Sequence, residues 1–68
     1  MNKYYEALAL LADLAGEHGE NKYEITDYAF GFIPFKNGKN VSKEVGTEYA
    51  KIAHWLIDES VINFENNK

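Results

Sequence analysis

Residues 23–35, Tyr-Glu-Ile-Thr-Asp-Tyr-Ala-Phe-Gly-Phe-Ile-Pro-Phe, hold five of the chain's ten aromatic side chains within thirteen positions. Each ring carries a large apolar area. A chain of 68 residues has little interior in which to hide it. The segment is therefore the floor of a very small domain, a docking surface, or both. With no cysteine, no disulfide can staple the fold, and two histidines make a closed structural zinc site an unexpected solution. The length fits one domain over residues 1–68, with 65–68 expected as a frayed tail. A partner chain is the remaining common support for so small a core.

The aromatic segment has a strand rhythm. Tyr23 and Ile25 alternate with polar neighbours, and Tyr28, Phe30 and Phe32 alternate with Ala29 and Gly31. The two runs are out of phase near Asp27, where a bulge would restore register. Asn37-Gly38 predicts a type I′ hairpin turn returning through Lys39-Asn40-Val41. Pro34 is then expected on an edge or near a strand end. The alternative makes 26–33 a short helix capped at Thr26 or Asp27, giving an all-α three-helix fold.

Helical patterns flank this segment. Residues 2–17 are rich in Ala, Leu and Glu, with Asn2 as N-cap and Gly16, His18 and Gly19 at the end. Tyr4, Leu8, Leu11 and Ala15 form one apolar stripe, and Ala7, Leu10 and Leu14 form a second beside it. An ordinary surface helix has one apolar face, so this one needs cover on two sides. Residues 43–60 read as the other helix, with Ser42 as N-cap and Thr47 competing. Val45, Tyr49, Ile52, Ala53 and Leu56 share its core face, while Ala50, Ile57 and Val61 form a secondary apolar line. Residues 61–64 either extend this helix or add a third short strand. The expected architecture is α+β, a helix, a short antiparallel hairpin and a helix, with both helices on one face of the sheet.

Charge limits function. The net charge is −4. Residues 1–35 hold two lysines against six acids, residues 36–43 hold Lys36, Lys39 and Lys43 with no acid, and residues 44–68 hold two lysines against five acids. The acidic balance disfavours sequence-independent binding to phosphate backbones. No apolar run reaches the length of a membrane span, and no small-residue cleavage site follows the first residues, so a cytoplasmic location is expected. His54 and Asp58, four residues apart, have the spacing of a His–carboxylate pair, but no nucleophile has a place beside them. The histidines and glycines match no metal, P-loop or dinucleotide pattern. Neither an enzyme nor a cofactor is expected.

The expected function is a small non-catalytic protein-interaction module that binds and modulates a larger macromolecule, with inhibition the favoured form of modulation. Trp55, Tyr28, Phe30, Phe35, Lys36, Lys39, Glu48 and Glu59 are its candidate partner-binding residues, with Trp55 foremost because tryptophan is enriched in binding hot spots. Leu10, Leu14, Ala50, Ile57 and Val61 are candidates for a homodimer interface. The acids Glu6, Asp13, Glu17 and Glu20, with Glu44, Glu48, Asp58 and Glu59, offer a weak imitation of phosphates. By analogy of class alone, small acidic proteins of this kind serve phages and mobile elements as accessory proteins acting on host nucleic-acid-handling or defence proteins. The alternative is a winged-helix transcriptional regulator, with the second helix on DNA and the 36–43 loop as wing. Acids along that helix oppose it.

Overall fold

A computed structural model of the chain describes residues 2–66. The order is α1 (Lys3–Glu17), β1 (Tyr23–Tyr28), β2 (Gly31–Lys36), β3 (Lys39–Asn40), α2 (Ser42–Val45) and α3 (Tyr49–Asn66). The architecture is the expected α+β one, and the all-α alternative does not hold. Asn2 caps α1 as its sequence position predicts: Oδ1 accepts from the amides of Tyr4 (2.9 Å) and Tyr5 (3.3 Å).

The three strands form an antiparallel sheet in the order β1-β2-β3. Pairing of β1 with β2 runs unbroken from Tyr23↔Lys36 to Tyr28↔Gly31. There is accordingly no bulge near Asp27. The phase slip is a chain reversal at Ala29-Phe30, two residues without the usual turn chemistry, which lets Tyr23 and Ile25 share the buried face with Phe32 and Pro34. The second turn is the predicted one, with Asn37 at φ 54° and Gly38 at φ 81°.

Pro34 lies in the central strand rather than at an edge. Its carbonyl accepts from the Val41 amide at 2.9 Å, but proline has no N–H to return. The Val41 carbonyl instead accepts from Glu44 (3.1 Å) and Val45 (2.9 Å), which ends β3 and begins α2. Farther along β2, the Phe32 amide finds the Thr47 carbonyl at 3.0 Å.

The expected single helix over 43–60 is thus two. Gly46, at φ 100°, ends α2 and turns the chain so that Thr47 reaches the sheet. Ser42 is the first residue of α2 rather than its cap. The Asn40 side chain does the tying, accepting from the Ser42 amide (2.8 Å) and hydroxyl (2.7 Å). The possible third strand over 61–64 is absent, because α3 continues through Asn66. Residues 65 and 66 are therefore helical, and the rest of the expected frayed tail, 67–68, lies outside the described residues.

Helices α1 and α3 lie side by side on one face of the sheet and run parallel. Tyr4 meets Tyr49 edge-to-face at 5.0 Å near their starts, and Asn63 reaches the Ala15 carbonyl near their ends. The core joins Leu8, Ala12 and Ala15 of α1, Tyr23 and Ile25 of β1, Phe32 of β2, and Ile52 and Leu56 of α3. Leu11, Val45, Tyr49, Ala53 and Trp55 pack around it.

Candidate interaction surface

The two apolar lines left outside the core come from different helices but converge. On α1, Leu11 and Tyr4 flank the core face on the side toward α3, and Leu10 and Leu14 continue round toward solvent. On α3, Tyr49 and Ala53 flank the core face on the side toward α1, with Ile57 and Val61 beyond them. Because the helices are parallel neighbours, both continuations line the outer groove between them, on the side away from the sheet. Leu10 is 70% exposed, and Leu14, Ile57 and Val61 are each roughly half exposed. Phe64, packed edge-to-face on His18 at 5.2 Å, extends the strip toward the C-terminal end. Leu10, Leu14, Ile57 and Val61 are among the residues expected at a homodimer interface; Ala50, also expected there, lines the cleft between α2 and α3 instead, and Phe64 is an addition.

Two of the expected partner-binding residues are engaged inside the molecule. The Lys36 ammonium donates to Glu59 Oε1 at 2.7 Å, and the Tyr23 hydroxyl donates to the same oxygen at 2.7 Å. The side chains of Lys36 and Glu59 keep only 33% and 16% of their exposure. Asn63, buried on α3, donates through Nδ2 to the Tyr23 hydroxyl (3.0 Å) and the Ala15 carbonyl (3.1 Å), and accepts from Asn21 (3.1 Å). This network joins α1, the 18–22 loop, the sheet and α3. Spacing along the chain could not reveal it, because its members are brought together from five separate segments.

The network sets its own titration. Burial raises the Tyr23 hydroxyl above its usual range, and the adjoining Glu59 carboxylate adds to that. The hydrogen bond to Glu59 raises the Lys36 ammonium, against a smaller opposing effect of burial. Burial by itself pushes the Glu59 carboxyl up, but hydrogen bonds from Lys36 and Tyr23 and the ammonium charge together hold it below the usual carboxylate range.

Trp55 is half-buried, edge-to-face with Tyr23 at 5.5 Å. Its remaining surface lines an open cleft of 590 Å³ between α2 and α3, with Val45 and Ala50 as apolar neighbours and Glu44, Lys51, His54 and Asp58 around them. Glu48 stands exposed above α3, 3.5 Å from Lys51. At the β1–β2 turn, Phe30 is 90% exposed and meets Tyr28 edge-to-face at 6.3 Å. Phe35 lies half-buried on the open face of the sheet, opposite Glu24, with Asn40 as its neighbour on β3. Exposed Lys39 begins β3 just after the Asn37-Gly38 turn, opposite Lys36 of β2. The structure thus scatters the partner-binding candidates: Tyr28 and Phe30 at one hairpin tip, Lys39 at the other, Phe35 on the open sheet face, Trp55 in the cleft, Glu48 beside Lys51, and Lys36 with Glu59 in an internal ion pair.

His54 and Asp58 are both exposed, on the solvent side of α3. Among the described residues no group of three or more His, Asp or Glu side chains is arranged to hold a metal ion, and no helix is long and apolar enough to cross a membrane. No buried side-chain nitrogen or oxygen among them lacks a hydrogen-bond partner. No family model, curated protein or solved structure matches the chain.

Proposed function

We propose that this chain is a non-catalytic protein-interaction module that docks on a larger macromolecule through the outer groove of α1 and α3. The observation that carries this reading is the strip of Leu10, Leu14, Ile57 and Val61, left in water by a domain that can least spare apolar area. A binder without a reactive constellation acts by occupying a surface, so the expected effect on the partner is inhibition. The net charge of −4 favours a basic partner surface. Proteins that handle nucleic acid present such surfaces, and blocking one of them is the mode of action we favour. The winged-helix alternative has little support, because Glu48 just before α3 and Asp58 and Glu65 along it stand exposed and would face phosphates.

Site-specific photocrosslinking in the native cell tests the reading. A crosslinker at Leu10 or Ile57 is expected to give a discrete adduct with another protein, and one at Lys39 is not. Equal labelling from all three positions, or none from any, would overturn it.

A further inference from the structure

We infer that the α1/α3 groove receives a basic amphipathic helix of its partner, apolar along one stripe and flanked by lysine or arginine. The inference rests on the docking reading above and names the occupant.

Backbone chemistry selects a helix. The groove is walled by two α-helices whose amides and carbonyls are paired internally, so this face has no strand edge to share. A partner segment lying there must satisfy its own backbone groups, and a helix does so. Laid over the groove between two parallel helices, it would bury Leu10 and Leu14 on one side and Ile57 and Val61 on the other, adding a layer outside α1 and α3. The strip runs about two turns, roughly 10 Å, from Ile57 to Phe64, within reach of a short amphipathic helix.

Charge selects a basic one. Glu6, Asp13 and Glu17 border the strip on α1, and Asp58 and Glu65 border it on α3. All five are exposed, and none makes an ion pair among the described residues. Of the cations near the groove, Lys51 is engaged with Glu48, and Lys3 sits at the N-terminal end over the Tyr4 ring. A second copy of the chain would bring the same carboxylate borders, and another net charge of −4, against these. Like-charge juxtaposition of that kind opposes association. A basic helix converts both borders into attraction.

The test titrates the isotope-labelled full chain with three synthetic peptides of about 18 residues, long enough for a full amphipathic stripe. One carries leucine at helical spacing among lysines, one has the same composition scrambled, and one replaces lysine with glutamate. The periodic lysine peptide is expected to bind, with shifts confined to the outer sides of α1 and α3. Binding should weaken at least roughly tenfold in the Leu14→Ser/Ile57→Ser variant, whose melting temperature stays near that of the parent, and should weaken as salt rises. Equal binding of the scrambled or the glutamate peptide would overturn the proposal, as would shifts at the hairpin tip or no binding at all. Sedimentation showing a dimer that the same variant abolishes would assign the groove to a second copy instead. Peptide failure with intact crosslinking at Leu10 would refute the helical occupant while leaving the docking reading standing.

Discussion

The Gly31 α-carbon lies so close to the Thr47 carbonyl that a methyl group on it would come within 2.5 Å of the oxygen. The same oxygen accepts from the Phe32 amide at 3.0 Å. This approach ties the α2–α3 linker to the central strand, where β3 has already ended. Gly31 also sits at φ 150°, a backbone conformation that side chains disfavour. Gly31→Ala is therefore expected to destabilise the fold by about 2 kcal/mol or more. Urea denaturation would show this as a lower midpoint, and an unchanged midpoint would mean that the linker moves away without cost.

Asn63 is the polar residue buried at the junction of both helices and β1. Removing its side chain strands the Ala15 carbonyl and takes a donor from the Tyr23 hydroxyl. Asn63→Ala should cost about 1–3 kcal/mol, read by thermal or chemical unfolding. Asn63→Leu should be no better, since the stranded carbonyl remains.

Stability should depend on pH at both extremes. Glu59 has a lowered folded-state pKa, so its contribution is complete above the ordinary carboxylate range and is lost as pH falls through the folded value. Lys36 and Tyr23 have raised folded-state values, so their contributions are complete below about pH 10, their ordinary range, and are lost as pH rises further. The melting temperature should form a plateau between those limbs. Glu59→Gln should flatten the acid limb, and Lys36→Met should reduce the alkaline one. An acid limb of unaltered depth in Glu59→Gln would remove Glu59 from the account.

Two leucines of α1 should behave oppositely. Leu8 is fully buried, and Leu8→Ala should cost about 2–5 kcal/mol. Leu10 is mostly in water, and Leu10→Ser should stay within about 0.5 kcal/mol of the parent. A large loss from Leu10→Ser would mean that the outer groove is covered in solution by a second copy.

Trp55 divides its surface between the core and the α2–α3 cleft. Trp55→Ala should lower the melting temperature clearly, because its edge-to-face contact with Tyr23 and its packing on the core are lost. A variant of parental stability would return Trp55 to the role expected of it from sequence, that of a partner-binding side chain.

Local patterns determined much of this protein. Asn2 as a cap, the Asn37-Gly38 turn, the helical stripes of Leu8 and of Ile52 and Leu56, and the alternation through the aromatic segment each depend on residues a few positions apart. Such signals act through short-range sterics and periodicity, which chain order preserves. Tertiary structure decided what depends on distant segments meeting. Ala29-Phe30 became a turn because both flanking strands found the same core face, despite lacking turn residues. The second helix broke at Gly46 because the Phe32 amide needed the Thr47 carbonyl, and residues 61–64 stayed helical with Asn63 held by Ala15 and Tyr23. Lys36 and Glu59, 23 residues apart, left the surface by finding each other. The apolar lines of α1 and α3 became one groove because the sheet between them returns the chain to run parallel, a geometry that no window of sequence encodes.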